Sequence, residues 1–264
     1  MTPATSERMD AAVARARFAG VLSILQYNRH FYVASLGGLL GVAAILRFGS
    51  LPRAVAALLV AGAALAAFWS IGSLAASYSI YDYAGVTRWE WLPQALSFPP
   101  RRWLNIHAGL DESTPALARF FPGSDFAVLD IYDPREMTEP SIARARELHA
   151  SDIPALAARL DALPLPDGDR DTVFLLFAAH EVRDHARRVQ FLREVVRVLS
   201  PNGQVLLVEH MRDWPNFIAF GPGFLHFHAR RDWLRVAESA CLRVVNETRQ
   251  TPFVRCFLLR RSEG

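Results

Sequence analysis

The 264-residue sequence predicts an α/β domain built on a parallel sheet and preceded by two membrane-spanning helices. Three observations carry this reading. Residues 163–210 read as strand, helix and strand in that order, residues 54–81 hold no charged side chain, and residues 31–46 form a second uncharged run just upstream.

Residues 171–177 (DTVFLLF) are a short apolar run with β-branched and aromatic members, too brief for a stable helix and preceded by the turn-forming Pro166-Asp167-Gly168. Between 187 and 199, Val189, Leu192, Val195, Val196 and Leu199 recur at helical spacing, while Arg188, Arg193, Glu194 and Arg197 take the other face. Pro201-Asn202-Gly203 ends that helix and residues 204–209 form the next apolar strand, so the unit is βαβ and the sheet is parallel.

Upstream, residues 103–108 read as a strand leading into Gly109, and Ser113 and Pro115 suit the start of a helix over 116–121. Residues 126–131 are the next apolar strand and 141–148 a helix, whereas 151–163 show no clear period. A helix over 231–240 and strands over 242–246 and 254–259 complete the domain.

Leu163, Pro164, Pro166, Asp167, Gly168 and Asp171, followed by Arg197, Val198, Leu199, Pro201 and Gly203, resemble the LPxPDGxxD turn and the RVLxPxG helix end of class I S-adenosylmethionine-dependent methyltransferases. The resemblance implies a Rossmann-like seven-stranded methyltransferase sheet over residues 103–264, with S-adenosyl-L-methionine as cofactor. It places the cofactor loop at 105–111, with Asn105, His107, Gly109 and Asp111 as its binding residues. The family usually has three glycines there; this chain has Gly109 alone. Asp111 or Glu112 would meet the ammonium group of the cofactor's methionine, although both also suit a helix's first turn. Asp130 is the first choice for the two ribose hydroxyls and Asp133 the second, although Asp133-Pro134 is also a turn start. Asp152 and Asp161 are both candidates for the position near adenine.

Acceptor chemistry belongs at the carboxyl ends of the strands. There the sequence puts His180, Glu181, Arg183, Asp184 and His185 in one loop and His210, Arg212, Asp213 and Asn216 in the next. Histidine is the natural general base near neutral pH, so His180 and His210 are the expected bases, with Glu181 orienting or sharing a proton. Arg183, Asp213, Asn216 and His226 are the expected substrate contacts. Phe217, Phe220, Phe224 and Phe227 suit a lipophilic pocket, the bilayer or ordinary core. No metal is assigned: His226, His228, His180, His210 and Asp213 are ligand types, but they sit on separate loops that spacing cannot relate.

A helix through residues 54–81 would extend roughly 40 Å, more than the hydrocarbon core of a bilayer. Residues 31–81 therefore read as a transmembrane hairpin turning at 48–52, residues 1–30 as an amphipathic interfacial segment, and 82–102 as an interfacial connector with tryptophans at headgroup level. Gly37 and Gly41 form a GxxxG pair that suits hairpin packing or a homodimer through these helices. Arg8, Arg15, Arg17 and Arg29 precede the hairpin and Arg88, Arg101 and Arg102 follow it, with only Arg47 and Arg53 at its turn. This bias places the catalytic domain on the cytoplasmic side of an inner membrane.

The net charge of +3 comes from arginine rather than lysine. No basic-aromatic motif accompanies it, so the bilayer is the expected partner and nucleic acid is not. Cys241 and Cys256 offer neither a disulfide framework nor a CxxC site. The expected function is a membrane-anchored methyltransferase acting on a small or lipophilic acceptor. Two alternatives stay open: a nicotinamide-dependent reductase, which the absence of GxGxxG and YxxxK disfavours, and a non-catalytic membrane scaffold with a decayed cofactor loop.

Overall fold

The structure is a computed structural model that describes residues 18–148 and 153–262. Arg8, Arg15, Arg17 and Asp152 lie outside the described residues. Seven strands form one sheet in the order β3-β2-β1-β4-β5-β7-β6. They are β1 (Arg102–His107), β2 (Asp125–Asp130), β3 (Leu156–Ala157), β4 (Arg170–Leu176), β5 (Leu199–His210), β6 (Leu242–Thr251) and β7 (Val254–Arg261). The first five pair parallel, and β7 is inserted antiparallel between β5 and β6. Strand order reverses between β1 and β4, which opens a crevice at their carboxyl ends.

Alternation along the strands divides the core into two layers. Leu104, Ile106, Val173, Leu175, Val205 and Leu207 face one side, where Phe191, Leu192 and Val195 of helix α7 (His185–Val198) and Trp233 and Val236 of α9 (Arg230–Ser239) cover them. Trp103, Phe174, Leu206 and Val208 face the other side. There α5 (Thr114–Phe120) contributes Ala116 and Leu117, Ala219 adds to it from further down the chain, and upstream residues, among them Ile80, Val86, Trp89 and Leu92, supply much of the remaining cover. The connector is therefore a core element. Trp89 is 1% exposed, and Trp103, in β1 itself, 0%, which corrects the expectation of headgroup tryptophans: with little helical cover from the rest of the domain on that side, the sheet takes the connector as its cover.

The turn motif has a mechanical reason. Arg197 donates to the carbonyls of Leu163 and Leu165 and to the Asp167 carboxylate, each at 2.8 Å, and the Gly168 N–H donates to the Arg197 carbonyl at 2.8 Å. One guanidinium thus ties the turn before β4 to the end of α7. The pairing of β4 with β5 jumps from Arg170–Leu199 to Thr172–Gln204, so residues 200–203 bulge out. Pro201 and Gly203 therefore end the helix without ending the ladder. β6 is longer than expected because its second half, from Asn246 to Thr251, is a polar sheet edge that no apolar pattern marks.

Before the sheet come α1 (Ala19–Tyr27), α2 (Arg29–Phe48) and α3 (Arg53–Ser77), then a π-helical segment (Tyr78–Tyr83) and the short α4 (Leu92–Ala95). α2 and α3 pack as a hairpin held by Tyr32 Oη to Ser73 Oγ at 3.0 Å and Ser35 Oγ to Ser70 Oγ at 2.8 Å. Gly37 and Gly41 take no part in it: a Cβ there would meet nothing within 4 Å. Phe31, Leu36, Leu40, Leu58, Leu65 and Phe68 all point outward, Leu58 being 73% exposed. The carboxyl half of α3 docks on α8 (Trp214–Phe220), where the Trp69 and Phe217 rings lie 5.7 Å apart.

Candidate active site

A cavity of about 150 Å³ lies at the carboxyl ends of β1 and β4. The loop after β1 contributes Ala108, Leu110, Glu112 and Ser113, and the end of β4 contributes Leu176, Phe177 and Glu181. Ser141, Ile142 and Ala145 of α6 (Pro140–Leu148) close one side, and Tyr27 and Trp89 close another. Trp89 and Phe177 both adopt left-handed backbone, at φ 61° and 53°, and their rings meet 5.8 Å apart. Bulky residues tolerate that conformation only where packing fixes it, at a cost of about 1–3 kcal/mol each. The wall is a preset surface.

On the cofactor side, Gly109 sits at φ 92°, where a Cβ would lie 3.0 Å from Arg146 Cδ and 3.1 Å from Ile142 Cγ2. Only glycine lets α6 approach the loop this closely. Asp130 ends β2, and its Oδ1 accepts from the Gly109 N–H at 2.9 Å and the Tyr132 N–H at 3.0 Å, while Arg146 holds Oδ2. Asp111, rather than Ser113, caps α5, accepting from the Ser113 and Thr114 N–H groups at 3.1 and 3.0 Å. Asn105 is buried and donates to Ser113 Oγ at 2.9 Å and Thr114 Oγ1 at 2.8 Å, so it braces the loop from behind. His107 is buried with neither ring nitrogen hydrogen-bonded, and burial, outweighing Asp111 and Asp130, lowers its pKa. Asp133 accepts from the Arg135 N–H at 2.9 Å, as a turn acid does, and Asp161 pairs with Arg159 at 2.7 Å.

On the acceptor side the chain builds a buried polar cluster. His180 Nδ1 lies 2.6 Å from Glu209 Oε2, and its Nε2 lies 3.1 Å from Glu181 Oε1. Burial alone would lower the His180 pKa, but the two carboxylates overcome it and push it up to about 10, so the ring is an imidazolium at neutral pH. Burial raises Glu181, and His180 and His226 pull it below the usual carboxylate range. Sequence reasoning missed Glu209; its signal was a carboxylate inside the otherwise apolar strand VLLVEH.

His210 stands behind Phe177, their rings 5.1 Å apart, and does not line the cavity. Its Nε2 lies 3.0 Å from Tyr81 Oη and its Nδ1 3.2 Å from the Phe253 carbonyl. Burial, with the charge on His180, pushes His210 down to about 3. The remaining expected substrate contacts serve the scaffold. Arg183 donates to the Leu225 and His226 carbonyls, Asp213 caps α8 through the Asn216 N–H at 3.3 Å, and Asn216 donates to Asp213 at 2.8 Å and Phe253 at 3.1 Å. Neither Asp213 nor Asn216 lines this cavity; caps and ligand contacts draw on the same polar residue types.

The residues fit a nucleoside cofactor. A glycine turn closely packed by α6, a carboxylate ending β2 and a cavity at the switch point are present together. Residues 105–207 match the family model described as a methyltransferase domain. The chain is 35% identical over 111 residues to the ubiquinone/menaquinone biosynthesis C-methyltransferase UbiE of Methylobacterium nodulans, covering 42% of each chain. It is 30% identical over 115 residues to the demethylmenaquinone methyltransferase of Thermus thermophilus, covering 44% of this chain and 50% of that one. The match thus spans half or less of these relatives' length. Among solved structures, the mitomycin 7-O-methyltransferase MmcR superposes with a TM-score of 0.55 at 16% identity, over 96% of this chain and 75% of that one. PH0226 of Pyrococcus horikoshii gives 0.52 at 14% identity, over 69% and 91%. The sheet that follows the connector has the class I, Rossmann-like methyltransferase fold, and the methyltransferase-domain match over residues 105–207 implies S-adenosylmethionine as the cofactor.

Proposed function

We propose that this protein is a membrane-anchored methyltransferase whose acceptor is a lipophilic small molecule, with quinone-type rings the first class to test. One observation carries the proposal. Tyr27, two residues before the exposed apolar hairpin begins, lines the cavity, and the Arg144 guanidinium of α6 donates to its carbonyl. The segment that enters the hairpin is thus also a wall of the site. Trp214, Ile218 and Leu225 extend the apolar surface onto the domain, Trp214 being 74% exposed. A lipophilic acceptor is already concentrated at such a surface. The names of the two curated relatives supply the choice of quinone.

S-adenosylmethionine, when bound, supplies an electrophilic methyl group. Residues 108–113 and Asp130 would hold it, and alignment with the acceptor is the main contribution of the protein. Glu181 is the carboxylate placed to accept a hydrogen bond from the acceptor, and His180 fixes its position. His210 and Tyr81 brace the wall behind Phe177. Arginine asymmetry supports a catalytic domain on the cytoplasmic face. A homodimer through the hairpin would use the Gly37–Gly41 face, which the hairpin leaves open.

The test uses full-length protein in detergent. Calorimetry should show binding of S-adenosylmethionine and none of NADH, and label from the methyl donor should pass to demethylmenaquinone in preference to water-soluble phenols. Binding of neither cofactor would favour the scaffold, and transfer only to soluble phenols would refute the lipophilic acceptor. Extraction at alkaline pH should leave the protein in the membrane pellet.

A further inference from the structure

Glu181 is approached by two histidines from separate loops. His180 Nε2 lies 3.1 Å and His226 Nε2 3.5 Å from the same Glu181 Oε1. One ligand atom from each of the three side chains falls within 4.8 Å of the others. The edge of a tetrahedron with metal–ligand bonds of about 2.0–2.1 Å is about 3.3 Å long, so both distances match ligands sharing one ion. Each ring also turns its other nitrogen to a carboxylate. His180 Nδ1 faces Glu209 at 2.6 Å and His226 Nδ1 faces Glu139 at 3.6 Å. Carboxylates in that place hold the Nδ1 proton, so an incoming ion displaces the proton on Nε2 and binds there, as in carboxylate–histidine–zinc arrangements.

The backbone holds the pair in register. Arg183 donates to the His226 carbonyl, and Arg212 donates to the carbonyls of Leu225 at 2.8 Å and Phe227 at 2.7 Å. These two arginines pin the His226 loop beside the turn that carries His180. Glu181 lines the cavity, so the cluster borders it on the Glu181 side.

We propose that His180, Glu181 and His226 bind one divalent transition-metal ion, zinc being the ion the donor set fits, with a coordination position left open toward the cavity. Two imidazoles and one carboxylate with an open position are the ligand set of catalytic rather than structural zinc sites. An acceptor carrying a hydroxyl or carbonyl oxygen would complete the coordination, a consequence that rests on the methyl-transfer reading. The metal site itself does not.

Full-length protein in detergent, stripped with a chelator, is titrated with zinc alone. The expected result is one equivalent bound per chain. His226→Ala removes a partly exposed ligand, so it leaves the fold intact and should weaken binding at least about 100-fold. Glu209→Gln keeps the side-chain shape and should weaken it by about 10–100-fold, the range for a residue that orients a ligand. His185→Ala, an exposed histidine nearby, should change nothing. Failure to bind one equivalent, retention of full affinity in His226→Ala, or loss in His185→Ala would overturn the proposal. Zinc is read without cofactor or acceptor, so failure of the methyltransferase assay leaves this result standing.

Discussion

Asp130 has two duties. One oxygen fixes the loop after β1 through Gly109 and Tyr132, and the other is held by Arg146. The proposed ribose contact predicts that Asp130→Ala weakens S-adenosylmethionine binding by about 1–3 kcal/mol. Calorimetry on folded protein checks this, and unchanged affinity would move the ribose contact elsewhere. His210 supports a pH prediction. Its folded pKa near 3 lies below the ordinary 6.5, so the unfolded chain takes up the proton first. The stability His210 contributes is complete above pH 6.5 and declines as pH falls toward 3, by at most about 1.4 kcal/mol per pH unit. Denaturation midpoints from pH 7 to 4 should fall less steeply in His210→Gln than in the parent protein. The position of Asp130 was legible in the sequence because an acid ends an apolar strand. The role of Glu209 was not, because its partner His180 lies 29 positions away and only the sheet brings them together.

The loop between β1 and α5 makes its turn with a single glycine. Asp111 ties down the first N–H groups of α5, Asn105 braces the hydroxyls of Ser113 and Thr114 from beneath, and Gly109 alone needs the unusual backbone. Gly109→Ala should cost about 1–3 kcal/mol from φ alone, with the contact against Ile142 added. The expected outcome is a lower melting temperature and weaker cofactor binding together; a variant as stable as the parent would show that the loop shifts freely. Elements with a strong period, such as α7 and β4, could be read from the sequence within a few residues. β3 could not, because a two-residue strand has no period to read. The connector was misread because tryptophan suits both a headgroup and a sheet lacking cover, and the sequence does not show which faces of a sheet lack helices.

The hairpin and the domain are joined where α3 meets α8. Gly221 at φ 54° lets Trp69 lie against its backbone, since a Cβ would stand 2.5 Å from Trp69 Cδ2. Gly221→Ala should push α3 away from the domain and expose the connector, which limited proteolysis near residues 78–101 would report as faster cleavage. An unchanged cleavage rate would mean that the docking does not depend on this contact. The base of the hairpin is closed by Asp82, whose carboxylate accepts from the N–H groups of Gly20 and Val21 at 2.8 and 3.0 Å. That bond gives the molecule an order of assembly. A ribosome delivers α1 first, yet its cap arrives 62 residues later, after both apolar helices have emerged. Tyr27 can settle against the cavity only then, so a chain whose hairpin has not found its place carries a methyltransferase sheet with one wall missing.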